Sequence, residues 1–294
     1  MHTEDVSVRY RDLDLWPTAD VVAALLEQQL AAVAVVRAAA PALAAAVEAA
    51  IAALAGGSGR LIYVGAGTSG RLAVQDGVEL LPTFGWPETR LVTLMAGGSQ
   101  ALLRSVEAAE DDAAAVRRQL QDLVIGPGDV VIAVAASGTT PFAVAAAAAA
   151  RAAGAVAIGL ANNAPAPLLD AATHAIALPT GAEVVAGSTR LAAGTAQKAA
   201  LNALSTAIMV GLGHTYGNLM VDVAARNAKL EERRVAMLQR IVAVDRAAAL
   251  AALQAAGGHV KTAALLARGD DLTTARTRLA HKGGRLRAAL AELG

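Results

Sequence analysis

The chain has 294 residues, 55% of them hydrophobic but only 2% aromatic, so Ala, Val and Leu must build its core. Lys and Arg number 25, as do Asp and Glu, which excludes the basic surface of a general nucleic-acid binder. Cysteine is absent, which excludes disulfides and thiolate metal sites.

Residues 1–17 are polar and irregular. The start, Met1-His2-Thr3-Glu4-Asp5, lacks the basic and apolar segments of a secretory signal. Thr18 reads as an N-cap, with Val21, Val22, Leu25 and Leu26 at helical spacing behind it. Helical patterning, broken near Pro41, continues to Gly56-Gly57, so residues 1–55 are expected to form a helical arm.

From Arg60 the texture changes. Residues 61–64, 89–95, 129–135, 156–160 and 175–178 read as short buried strands, separated by helical stretches at 69–80, 109–123 and 140–153. Strands alternating with helices predict an α/β fold with a parallel sheet covered on both faces. The stretch 142–160 is the nearest to a membrane span, but it is mostly alanine and is broken by Arg151 and Gly154. A soluble cytoplasmic protein without membrane or nucleic-acid partners is expected. From Ser188 the chain is mostly helical: 189–212 is long and poor in charge, 229–244 is amphipathic, and three or so short helices follow, separated by Gly257-Gly258, Gly269-Asp270 and Gly283-Gly284.

Two loops share one chemistry. Gly65-Ala66-Gly67-Thr68-Ser69-Gly70-Arg71 follows the first strand, and Ala136-Ser137-Gly138-Thr139-Thr140-Pro141 follows the third. Each is a turn of small and hydroxyl residues that opens a helix, so backbone N–H groups, hydroxyls and the positive end of a helix converge on a phosphate-sized anion. In parallel sheets ligands bind beyond the carboxyl ends of strands, where both loops lie. Gly65-x-Gly67-x-x-Gly70 also matches a dinucleotide fingerprint. The next strand, however, ends Leu94-Met95-Ala96-Gly97-Gly98, with no carboxylate for a ribose hydroxyl. A phosphate monoester suits the loops better than NAD or FAD. No Gly-Lys-Ser/Thr follows, so the P-loop reading fails, and the five histidines show no metal-ligand spacing.

Four stretches carry a family likeness. They are Leu61–Leu72, Asp76–Gly85, Val106–Asp112 and Gly181–Lys198, backed by Leu201-Asn202, Leu204-Ser205-Thr206 and Tyr216–Val223. In these the chain resembles the N-acetylmuramic acid 6-phosphate etherases, sugar-isomerase (SIS) domain enzymes of peptidoglycan recycling. The resemblance implies an SIS-type three-layer sandwich with a parallel central sheet. It divides the chain into an N-terminal arm (1–55), an SIS domain (56–220) and a C-terminal helical subdomain (221–294). It further implies a homodimer with active sites at the interface, and no cofactor or metal. Two departures stand out: Thr139 takes a position where the family usually has Arg, and Ala192 one where it commonly has Lys.

The implied reaction removes a D-lactyl ether from C3 of an amino sugar. Ring opening exposes an aldehyde that acidifies the C2 proton. A base removes it, an acid protonates the departing ether oxygen, and water adds back at C3. Two carboxyl groups in different protonation states are the minimum requirement. By resemblance Glu79 is the acid, and its apolar neighbours Val78, Leu80 and Leu81 would favour its protonated form by desolvation. Glu110 corresponds to the second catalytic Glu and would take the C2 proton, ionised at a helix start. Glu107 and Asp111 are rivals, and the acidic run 110–112 also suits helix capping. Gly67, Thr68, Ser69, Ser137, Thr139 and Thr140 are the phosphate candidates, while Glu183 and Ser188 are candidates for lining the sugar pocket. Thr68 and Ser188 equally suit helix caps. Arg190 and Lys198 fit an ion pair or phosphate neutralisation; His214 and Asn218 suit a helix end. Glu79 lies ten residues beyond Ser69, about 15 Å along an unbroken helix, so loop and acid need not serve the same end of a ligand. The glucokinase-regulator proteins share similar motifs, and a non-catalytic sugar-phosphate sensor is the alternative. A sugar-phosphate aldose–ketose isomerase is a third reading.

Overall fold

The computed structural model describes residues 2–223 and 228–293. In chain order the helices and strands are α1 (Thr18–Ala38), α2 (Ala40–Leu54), β1 (Leu61–Gly65), α3 (Gly67–Val78), α4 (Leu80–Phe84), β2 (Leu91–Met95), α5 (Ala113–Asp122), β3 (Val130–Ala135), α6 (Pro141–Ala152), β4 (Val156–Ala161), α7 (Pro167–Ala171), β5 (His174–Ala177) and α8 (Ala192–Gly211). These are followed by α9 (Ala228–Val242), α10 (Arg246–Ala255), α11 (Val260–Leu266), α12 (Leu272–His281) and α13 (Leu286–Leu290). The chain divides into two compact units, one of Met1–Gly77 with Thr89–Ser205, the other of Val78–Glu88 with Thr206–Gly294. The expected arm is therefore part of the first unit, and Glu79 falls in the second.

The first unit is built on one parallel sheet, ordered β2-β1-β3-β4-β5. Leu61 pairs with both Leu91 and Val130, Val130 with Val156, and Ile158 with His174. Every residue of β1 and β3 is buried, as expected of strands covered on both faces. On one face Ile62, Val64, Val131, Ala133 and Ala157 pack against Val116 and Leu120 of α5 and against the alanines of α6. Ala143, Ala146, Ala147 and Ala150 are fully buried, so a helix without bulky side chains sits close on the sheet. Helix α2 packs on β4 and β5 outside that cluster, through Leu43, Ala46, Val47, Ala50 and Leu54 at helical spacing. The break near Pro41 is the α1–α2 junction, where proline fits the first turn of α2.

Among the described residues α1, rather than 142–160, is the helix long and apolar enough to cross a membrane, with a mean hydropathy of 1.6. It is nonetheless tied into the first unit. Gln28 is buried, donates to Ala182 O at 2.7 Å and accepts from Val184 N at 3.1 Å.

The second unit is helical. After α9, four short helices follow where about three were expected. Leu238, Leu253, Val260, Leu265 and Leu286 share its core. Asp245 and Asp271 cap α10 and α12, and Arg278 pairs with Asp270 and Glu292. Residues 224–227, within the expected C-terminal subdomain, lie outside the described residues.

Candidate functional site

Because β1 and β3 are adjacent and parallel, the loops leaving their carboxyl ends are neighbours. They face each other across a cleft of about 360 Å³ lined by Gly67, Thr68, Ser69, Ser137, Thr139 and Thr140, together with Glu4, Glu110, Asp111 and Thr189. All six phosphate candidates are thus brought together, and Glu110 joins them. Asp111 lies in the same cleft. Glu107 lines an adjoining hollow of about 210 Å³, which Arg71 and Met95 also line.

The first loop is shaped by close backbone approach. A Cβ on Gly70 would sit 2.7 Å from the carbonyl carbon and oxygen of Gly65 and would strike the Met95 sulfur; a Cβ on Gly65 would sit 2.8 Å from Gly70 Cα. Only glycines let α3 start directly on the end of β1. The first intrahelical bond of α3 runs from Gly70 N to Ala66 O, so the N–H groups of Gly67, Thr68 and Ser69 precede the ladder and are available to an anion. Thr68 lies inside α3, not at its cap. In the second loop Ser137 Oγ accepts from Thr139 N at 3.2 Å and from Thr139 Oγ1 at 3.0 Å, which sets both hydroxyls at the start of α6.

The charge in this cleft is one-sided. Among the described residues its lining carries three carboxylates and no Lys, Arg or His. The donors that this cleft offers are therefore neutral groups and two helix N-termini. Arg71, which belongs to the loop motif, does not line this cleft. It donates to the carbonyls of Ala101 at 3.0 Å and Arg104 at 3.4 Å and so ties down the segment that leads to Glu110. Among the described residues no three His, Asp or Glu side chains form a metal-ligating group.

Several expectations about individual residues change. Glu110 does not open α5; it sits in a separate 3-10 turn, Ala109–Asp111, entered through Ala108 at φ 56°. Asp112 is the cap of α5, accepting from Ala115 N at 2.8 Å. The acidic run thus divides its labour, with Asp112 capping and Glu110 and Asp111 facing the cleft. Glu183 is buried and outside the cleft, on the border of a different cavity of about 840 Å³ beside Tyr10 and Trp16. Its two carboxylate oxygens accept from Ala192 N and Ala193 N, each at 2.9 Å, capping α8 from nine residues upstream. Burial pushes its carboxyl above the usual range, against those two hydrogen bonds. Ser188 neither caps α8 nor lines the cleft; its N–H donates to Val185 O. Arg190 and Lys198 are exposed and outside the cleft lining, and Lys198 donates to Asn202, so neither is in the buried ion pair that the sequence allowed. Glu79 precedes α4 in the second unit and is exposed, so its own chain does not supply the expected desolvation. In that unit His214 Nδ1 lies 2.8 Å from Asp222 Oδ2, a carboxylate also shared with Lys261.

One buried group had no reading in the sequence. Asp76 accepts from Tyr63 Oη at 2.8 Å, from Asn202 Nδ2 at 2.5 Å and from Ser205 Oγ at 3.2 Å, and so links β1, α3 and α8. Burial, reinforced by the Asp76 charge, raises the Tyr63 phenol well above its usual value.

Comparison with known proteins gives consistent results. The model of the glucokinase regulatory protein N-terminal SIS domain matches residues 42–151, and that of the SIS domain matches 105–207. A protein of Deinococcus radiodurans named N-acetylmuramic acid 6-phosphate etherase is 55% identical over 291 residues, which is 99% of this chain and 95% of that protein. One of Streptomyces coelicolor with the same name is 47% identical over 75% of this chain and 71% of its own length. Among solved structures, a phosphoheptose isomerase from Francisella tularensis is 19% identical, with a TM-score of 0.49 over 67% of this chain and 99% of that one.

Proposed function

The chain belongs to the N-acetylmuramic acid 6-phosphate etherase family, and on that premise we propose that it is a lyase acting on N-acetylmuramic acid 6-phosphate in peptidoglycan recycling. It takes up water and releases N-acetylglucosamine 6-phosphate and D-lactate. The observation that carries this reading is the meeting of both hydroxyl loops and a carboxylate, Glu110, in one cleft.

The phosphate seats against the N–H groups of Gly67, Thr68 and Ser69 and the hydroxyls of Ser137, Thr139 and Thr140. With the ester anchored there, the sugar chain extends past Glu110. Glu110 removes the C2 proton and Asp111 stands beside it. Glu79 protonates the C3 ether oxygen as lactate leaves; the unsaturated aldehyde then takes water at C3. Glu183 and Ser188 have no part in this scheme.

A homodimer with sites at the interface belongs to the same proposal. Val22, Leu26, Leu30 and Val33 form one exposed apolar stripe on α1, the kind of surface that a second copy would cover. Cytoplasmic location follows from the substrate, since a phosphorylated sugar does not cross a membrane unaided.

The test is incubation with the muramic acid 6-phosphate in heavy-oxygen water. Label at C3 of the product with release of D-lactate supports elimination and re-addition. Glu79→Gln is expected to abolish lactate release and Glu110→Gln to stop deuterium exchange at C2; normal turnover in either variant removes that residue from the scheme. Mixing the two inactive variants restores activity only if the two carboxylates reach one site from different protomers. The regulator reading has the match over residues 42–151 behind it. Tight sugar-phosphate binding without lactate would establish it, but a namesake etherase aligned over 99% of this chain favours the enzyme.

A further inference from the structure

The N-terminal segment is irregular, yet it is fastened where it crosses the carboxyl end of the sheet. Thr3 is fully buried. Its N–H donates to Asn163 Oδ1 at 3.0 Å, and Asn163 Nδ2 donates back to Thr3 Oγ1 at 3.1 Å. Asn163 lies just beyond β4, and the preceding Asn162 is itself held by Gln197 and the Leu178 carbonyl. The neighbouring acid, Asp5, is engaged locally, accepting from His2 N at 2.7 Å. Glu4 alone is left to reach outward. Its exposed side chain lines the cleft of the two hydroxyl loops, together with Glu110, Asp111 and Thr189. A carboxylate oxygen of Glu4 lies against Gly187, where a Cβ would stand 3.0 Å from it. No hydrogen bond from the described residues reaches that carboxylate.

We propose that Glu4, held in place by the Thr3–Asn163 clamp, is a sugar-binding residue of this cleft that accepts hydrogen bonds from the hydroxyl and acetamido N–H groups of an amino-sugar phosphate. This rests on the reading of the cleft as a sugar-phosphate site. An ionised carboxylate is an acceptor only, so it bonds donors and repels the phosphate. The amide-rich loop starts attract the ester and the acidic rim attracts the polyol chain, which gives the ligand one orientation. The same rim turns the carboxylate of a lactyl group away from this wall.

The test compares binding of N-acetylglucosamine 6-phosphate with that of inorganic phosphate by titration calorimetry. Glu4→Ala is expected to weaken the sugar phosphate about tenfold or more, the loss of a hydrogen bond to a charged group, while inorganic phosphate binds as before or tighter. Glu4→Gln keeps an acceptor and loses less. Thr3→Val preserves the buried shape but removes one of the two clamp bonds, leaving Asn163 Nδ2 without its acceptor. It should weaken the sugar phosphate selectively and speed amide exchange in residues 2–5, a readout that does not depend on activity. Wild-type affinity for the sugar phosphate in Glu4→Ala overturns the assignment. So does an equal loss of both ligands, which would make Glu4 a general support of the cleft. A wild-type protein that binds neither ligand overturns the site reading as well, a failure distinct from one seen only in the variants.

Discussion

β1 and β3 lie side by side, and their two ends are built by different means. At the amino ends Asp129 is enclosed by donors. It accepts from the Arg60 N–H at 2.9 Å, from Arg60 Nε at 3.0 Å and Nη2 at 2.8 Å, and from Gly126 N at 3.0 Å. At the carboxyl ends the amides of Gly67, Thr68 and Ser69 and the hydroxyls of the second loop border open space, and the charged residues described in the cleft lining are acids. One end uses an ion pair to fasten the sheet; the other leaves its amides open to the cleft.

The largest effect that can probe this contrast is Gly59→Ala. Its Cβ would overlap the Gly128 carbonyl oxygen beneath β1 and β3, a backbone neighbour that cannot rotate away. Urea unfolding should show a loss of about 3 kcal/mol or more. A stable, well-folded variant would show that the amino ends are not closely packed.

Asp129→Asn comes next, at about 3 kcal/mol, because it breaks a largely buried pair and leaves Arg60 without its counter-charge. Burial pushes the Asp129 carboxyl up, but hydrogen bonds from Arg60 and Gly126 outweigh it and hold the group below its ordinary range. A depressed carboxyl contributes stability that is complete above its unfolded value, about 3.9, and is lost as pH falls through the lower folded value. The wild type should therefore lose this contribution on acidification below about pH 4, and the variant should have none to lose. Parallel acid-unfolding curves for the two would contradict the assignment.

The opposite end should respond in function rather than stability. Ser137→Ala removes the acceptor for Thr139 N and Thr139 Oγ1. The expected result is an affinity for sugar phosphates about tenfold lower, with unfolding free energy changed by about 1 kcal/mol or less. If stability fell more than binding did, the second loop would be a structural turn. The smallest change is a gain. Thr139→Arg adds the cation that the cleft lacks and should tighten inorganic phosphate about fivefold, an advantage that shrinks with added salt. A salt-independent change would mean that the new side chain acts by packing.

The two loops were legible because each is a local motif. Glycine and hydroxyl residues follow an apolar run within a few positions, and backbone geometry over that distance is set by the residues themselves. The role of Arg71 was harder to see, because it acts on carbonyls some thirty residues away. The cap of α8 shows the same limit. Ser188 has the right chemistry and nearly the right position, yet Glu183 takes the amides because the chain doubles back to deliver it. The acidic run 110–112 could be read as a helix start, but only its last member plays that part.

The sequence by itself determined the five strands, their covering helices, the pair of anion-binding turns and the likeness to sugar-phosphate lyases, since these are recorded in short apolar runs and contiguous motifs. Tertiary structure decided which acids meet those turns. The order β2-β1-β3 sets the 3-10 turn of Glu110 beside both loops. A clamp between residues 160 positions apart holds the segment that brings Glu4 to the same cleft. Neither arrangement has a local signature, because a side chain's neighbours across a sheet depend on how strands are ordered and not on the residues next to it in the chain.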